Sequence, residues 1–239
     1  MMRPHVMAVV LGLAVACPAA AIADDQGRAP VRRVAQPGRP GSFEISIGGD
    51  LLAPQALGSS TATLTSNNQS GSAFNYFTVD GTRAAAPAFR GRIGYNITRM
   101  FTVEGGIVAG RGNVHGAVSG DKENAAGLTV AERMTQYFVD VSLLMHLPGG
   151  SFAKGSAVPF LEGGAGYLRQ MHEGNTAWNT GQIYHFGGGI TYMFSRRPGR
   201  LTGLGLRADA RVYFPRKGYS LNDSQHPFAG VGAALLLAF

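Results

Sequence analysis

The chain has 239 residues, 45% of them hydrophobic and only 15% charged, with a formal net charge of +7. Soluble domains carry about a quarter charged residues, and the 35 glycines here are about twice the average share. Those glycines sit among Phe, Ile, Val, Leu and Tyr, which excludes a disordered chain and suits crowded β-strands.

The first segment, MMRPHVMAVVLGLAVACPAAAIADD, has Arg3, an apolar run from Val6 to Ala16, and the small-residue pattern Ala21-Ile22-Ala23. That pattern predicts a secretory signal peptide over residues 1–23, cut after Ala23. An uncleaved anchor helix is the alternative, and Pro18 with the small-residue tail opposes it. Cys17 is the single cysteine. Ala14 stands three residues before it, where lipoprotein signals carry Leu, which argues against lipidation. The mature chain then has no disulfide and no thiol chemistry. Losing Arg3 takes its charge from +7 to +6. A basic exported chain can meet anionic lipid or lipopolysaccharide. No basic helix is present, and nucleic acid is not an expected partner.

Residues 24–41, DDQGRAPVRRVAQPGRPG, have no apolar period and read as a flexible basic Pro/Gly linker. From Ser42 the period becomes two, the signature of β-strands. In FEISIGGDLL, Phe43, Ile45, Ile47 and Leu51 alternate with Glu44, Ser46, Gly48 and Asp50. In AFRGRIGYNI, Phe89, Ile93, Tyr95 and Ile97 alternate with Arg90, Arg92 and Asn96. The third run sets Phe101, Val103 and Ile107 against Thr102, Glu104 and Val108. The fourth sets Tyr137, Val139, Val141 and Leu143 against Phe138, Asp140, Ser142 and His146. The fifth opposes Leu161 and Tyr167 to Phe160 and Glu162, and the sixth Tyr184, Phe186, Ile190, Tyr192 and Phe194 to His185 and Thr191. The seventh opposes Leu204, Leu206, Val212 and Phe214 to Arg207, Asp209, Arg211 and Tyr213. The eighth, FAGVGAALLLAF, alternates to the final Phe239.

Eight runs of this kind each match the roughly 9–11 residues that a tilted strand needs to cross a bilayer. The gaps between them start long at about residues 54–86, shrink to a turn at Thr98 and Arg99, and lengthen again over about 111–133. Outer-membrane barrels show this alternation of short periplasmic turns and longer external loops. One face is apolar, with aromatics near the strand ends. The other carries Glu44, Asp50, Arg90, Arg92, Glu104, Asp140, Glu162, Arg207, Asp209 and Arg211. A soluble sandwich or lipocalin would hide the first face, whereas a membrane barrel would turn it to lipid. Export, the absence of an apolar stretch long enough for a spanning helix in the mature part, and the apolar end at Phe239 favour the barrel.

The pattern from Ser42 to Phe239, with an alternating last strand that closes on Phe, resembles the small eight-stranded bacterial outer-membrane proteins of the OmpA/OmpX type. The resemblance implies an all-β fold, an eight-stranded antiparallel up-and-down transmembrane β-barrel over residues 42–239. It also implies that Phe239 is part of an assembly signal read by the barrel assembly machinery, and that outer-membrane lipid and lipopolysaccharide are partners. The peptidoglycan-binding domain of larger relatives is not found after the eighth strand.

A barrel of eight strands is only wide enough for its own side chains. The ten charged residues, with Arg169 as a further candidate, would form a salt-bridged lumen, because buried charges must be paired. The many glycines of that face leave room for a narrow water path as the alternative. Ser142 and His146 lie about 13 Å apart along one strand, too far for a catalytic pair. His115, His172, His185 and His226 are scattered, and neither a metal site nor a cofactor is expected. No catalytic residue is assigned. The Ser/Thr/Asn-rich stretch from Leu57 to Gly81 and Trp178 are expected in external loops, where an unidentified ligand could bind. Four functions remain open: a structural or surface-interaction barrel, a narrow channel, a lipid-modifying barrel enzyme, and a soluble lipocalin-like carrier.

Overall fold

In a computed structural model of the chain, residues 39–239 are described apart from 66–70, 72, 121–128, 154–155, 173–177, 197–200 and 223–225. The signal peptide and all of the linker before Arg39 lie outside the described residues.

Ten strands form: β1 Phe43–Leu52, β2 Gln55–Thr65, β3 Ala73–Arg83, β4 Ala86–Asn96, β5 Phe101–Ser119, β6 Thr129–His146, β7 Ala157–His172, β8 Trp178–Arg196, β9 Gly203–Arg216 and β10 Phe228–Ala238. The order β5-β4-β1-β10-β9-β8-β7-β6 closes on itself through β5 and β6, so eight antiparallel strands make a barrel. Chain neighbours pair around it, with β4 beside β1 across the intervening hairpin. The seam between the first and last strands runs from Glu44↔Ala238 to Leu52↔Gly230. The Phe239 amide adds one more bond, donating to the Phe43 carbonyl at 2.8 Å. At this seam Gly48 lies so close to β10 that a Cβ would meet the Ala233 carbonyl and Ala234.

The two strands beyond eight correct the expected long loop over 54–86. β2 and β3 form a hairpin standing on the barrel wall. β4 accompanies β5 from Asn96↔Thr102 to Ala88↔Gly110, and β3 takes over from Arg83↔Val114 to Thr78↔Ser119. The expected gap over 111–133 is likewise mostly strand, since β5 runs to Ser119 and β6 starts at Thr129. These segments escaped the alternation signal because most of β2 and β3 is wet on both faces. A strand exposed on both sides has no reason to alternate apolar with polar residues.

The apolar face points outward. Ile93, Val141 and Phe186 are 60–61% exposed, whereas Glu44, Arg90 and Glu104 are 1–2% exposed. This inside-out sheet is stable only if lipid, not water, surrounds it. The ten residue steps from Phe101 to Arg111, at about 3.4 Å each and a tilt of about 40°, rise roughly 26 Å, the height of a bilayer's apolar band.

Candidate functional site

The lumen is the candidate site, and strand alternation builds it. Every second residue of each barrel strand faces inward, so charged residues from β1, β4, β5, β6, β7 and β9 converge in one narrow space. All ten predicted lumen residues are buried there.

They pair in two separate chains of alternating sign. In the first, Arg207 bridges Glu44 at 3.5 Å and Glu104 at 2.5 Å, and Arg92 bridges Glu104 at 3.8 Å and Asp140 at 3.0 Å. In the second, Arg90 joins Asp50 at 3.2 Å to Asp209 at 2.7 Å. Arg211 joins Asp209 at 3.1 Å to Glu162, with which it makes a short bidentate pair. Arg169 is not a member. It faces outward on β7 and stacks its guanidinium on Trp178, 3.4 Å from the ring centroid. The lumen set therefore holds six carboxylates and four guanidiniums.

The inward glycines leave less room than their number suggests. The space beside Gly106 is filled by the Arg92 side chain and that beside Gly232 by Asp50 and Arg90, while Gly187 lies against the Ala210 carbonyl and Arg211. The missing side chains make way for long charged ones.

Toward the end where the strands are longest, the inner face turns apolar. Leu52, Ala88, Val108, Phe138, Leu168, Ile183, Tyr213 and Phe228 form a buried cluster, one residue from each of the eight barrel strands. Tyr213 stacks on Phe228 at 5.0 Å, and Phe138 approaches both rings at 5.5 and 6.2 Å. Beyond this ring lies a second apolar cluster of Leu57, Val114 and Met134, with Tyr219 against it. The loop after β9 folds over it, as the Leu221 amide donates to the Leu57 carbonyl at 2.8 Å and the Tyr219 amide to Gln170 Oε1 at 2.8 Å.

Sequence reasoning missed three participants. Arg83, expected in a loop, is buried at the foot of the hairpin, donates to Gln136 and to the Ala53 carbonyl, and covers the Phe228 ring. Burial holds its guanidinium down at about 10. The apolar ring was missed because it is visible only when the register of eight strands is known. The third is a cross-strand contact of Ser142 Oγ with His185 Nε2 at 3.3 Å. It is not a catalytic triad. Asp140 approaches the same Nε2, at 3.8 Å, and His185 Nδ1 has no hydrogen-bond partner, whereas a triad needs the acid on the opposite nitrogen. His146 lies at the other end of the lumen, with Nε2 3.0 Å from Thr102 Oγ1. His172 bonds Glu132 and Asn179 near the mouth. Among the described residues no group of three His, Cys, Asp or Glu side chains could hold a metal ion.

No protein-family model matches the chain, and neither does any curated protein. Solved structures do. Neisserial surface protein A is 12% identical, with 82% of this chain and 96% of that one covered at a TM-score of 0.50. OprG from Pseudomonas aeruginosa is 13% identical over 84% of this chain and 97% of its own, at a TM-score of 0.47. The fold is therefore that of the small eight-stranded outer-membrane barrels. With an apolar belt facing outward around a lumen of paired charges, its place is a bacterial outer membrane.

Proposed function

We propose that the chain is a non-enzymatic outer-membrane barrel with a structural or surface-interaction role, exercised by the hairpin and loops at its longer end. The observation that carries this reading is the apolar ring to which every barrel strand contributes one buried residue. An ion crossing the barrel would have to shed its water there, directly above charges already committed to one another. The glycine spaces that would favour a narrow channel are occupied by Arg92, Asp50 and Arg90. The buried Ser142 and His185 have no oriented acid, which argues against lipid-modifying chemistry. Outer-membrane lipid surrounds the belt, lipopolysaccharide and an external ligand meet the longer end, and the closing strand that ends at Phe239 engages the assembly machinery.

Planar-bilayer recording of the purified full chain tests this reading. The expected result is no discrete conductance steps. Reproducible steps at neutral pH would replace it with the channel reading.

A further inference from the structure

The arginines that do not enter the lumen have a pattern of their own. Arg111 on β5, Arg169 on β7 and Arg216 on β9 all point outward at the longer end of the barrel, with Arg111 and Arg216 exposed. Register relates them. Ala109, Tyr137 and Arg169 are partners, so Arg169 lies two positions inside Arg111, and Arg216, opposite Gln182 and hence level with Tyr167, lies two further in. In a barrel of tilted strands such a stagger holds residues at about one height. That height is set by Tyr137, Tyr167, Tyr184 and Phe214, the aromatic girdle on the same strands.

No described acid faces outward at this level on β5 to β9. On β10, β1 and β4 the outward residues there are Ala229, Leu51 and Phe89, without charge. The basic strip is one-sided. Between its members lie two open hollows. One, of about 350 Å³, is lined by Ile107, Tyr137, Val139, Tyr167, Arg169 and Trp178. The other, of about 240 Å³, lies between Arg111 and Arg133. The first is apolar below and cationic above, which is the shape of an acyl chain joined to an anionic headgroup.

We propose that this strip binds the phosphorylated lipid anchor of lipopolysaccharide, with Arg111, Arg169 and Arg216 on its phosphates and an acyl chain against Trp178 and Tyr167. The inference rests on the outer-membrane reading and goes beyond it in assigning residues and ligand chemistry. Lipopolysaccharide is the occupant chosen because the strip lies in the leaflet at the longer, external end, and because several cations spaced around a curved wall suit a headgroup bearing more than one phosphate.

Trp178 is the only tryptophan, so its fluorescence reports the strip directly. The full chain in mild detergent is titrated with bis-phosphorylated lipid A, its phosphate-free counterpart and phosphatidylglycerol. A saturable change in Trp178 emission is expected with the bis-phosphorylated lipid alone. The Arg111→Gln/Arg169→Gln variant is expected to weaken it by about tenfold or more, given the attraction of each cation for an anionic surface. Arg99→Gln, which makes a charge change in the short turn at the opposite end, is expected to leave it unchanged. Arg111→Gln alone, which leaves the Trp178 stack intact, is expected to weaken it by a smaller factor and serves if the double variant does not fold. Equal binding of the phosphate-free lipid or of phosphatidylglycerol would overturn the proposal, as would equal loss in Arg99→Gln. Failure of the outer-membrane reading itself would show separately, as a wild-type chain in the soluble fraction with no mobility shift between unboiled and boiled gel samples.

Discussion

The Arg83 guanidinium lies over the Phe228 ring, 4.4 Å from its centroid. One residue anchors the external hairpin and the other belongs to the apolar ring of the barrel. Arg83→Ala should therefore loosen the hairpin while the barrel stays closed. The lost stacking and hydrogen bonds amount to about 2–3 kcal/mol locally. Limited proteolysis checks this: cleavage should move into β2–β3, and the unboiled band should survive. Loss of the folded band would mean that the hairpin is part of the barrel's cooperative unit.

The short pair between Arg211 and Glu162 is buried on both sides. Glu162→Gln should cost about 1–3 kcal/mol, less than an orphaned buried charge would, because Arg211 keeps Asp209 at 3.1 Å and Asp50 at 3.9 Å. Adding Arg211→Met should deepen that loss, since Arg211 also serves Asp209 and Asp50. Urea midpoints of the folded band for the wild type, both single variants and the double variant would measure the coupling.

Phe138 and Tyr213 fill the middle of the apolar ring. Replacing both by Ala removes two of the ring's three aromatic side chains, and with Tyr213 its hydrogen bond to Arg211 below. The expected outcome is a conductance absent from the wild type and cation-preferring, because six carboxylates face four guanidiniums beneath. Bilayer recording with a salt gradient would give the sign. A double variant that stays silent would place the barrier in the charge lattice.

Gly48 stands against the Ala233 carbonyl at the seam. A β-branched residue cannot fit without prying β1 from β10. Gly48→Val should abolish the heat-modifiable band, whereas Gly105→Val, where a Cβ meets nothing, should preserve it. Cold gels of membrane fractions compare the two.

Alternation alone assigned the faces of all eight barrel strands, because a sheet with lipid on one side and a packed lumen on the other imposes period two wherever both are present. It brought Glu44 and Arg207, far apart in the chain, onto one face, but pairing between them depends on register. The same rule explains what it missed. β2 has water on both faces, so Ser59, Ser60 and Thr61 carried no period and read as loop. Arg169 could be misplaced because an outward arginine at the aromatic level and an inward one differ by a single position. The change from Asp50 to Leu52, from Asp140 to Phe138 and from Arg211 to Tyr213 along the inner face was a readable sign of the ring. It gains meaning only when the strands are laid side by side.

The seam has a consequence for how the chain reaches this state. β1 and β10 are separated by about 175 intervening residues, so the contact that completes the wall is among the least local in the molecule. Until it forms, two rows of backbone amides and carbonyls lie bare in a medium that offers them no water. Assembly is thus slow to finish, and partial structures have nothing to gain by stopping. Once β10 docks, the reverse step must expose both rows together, and the native lifetime is set by the height of that barrier rather than by the depth of the minimum.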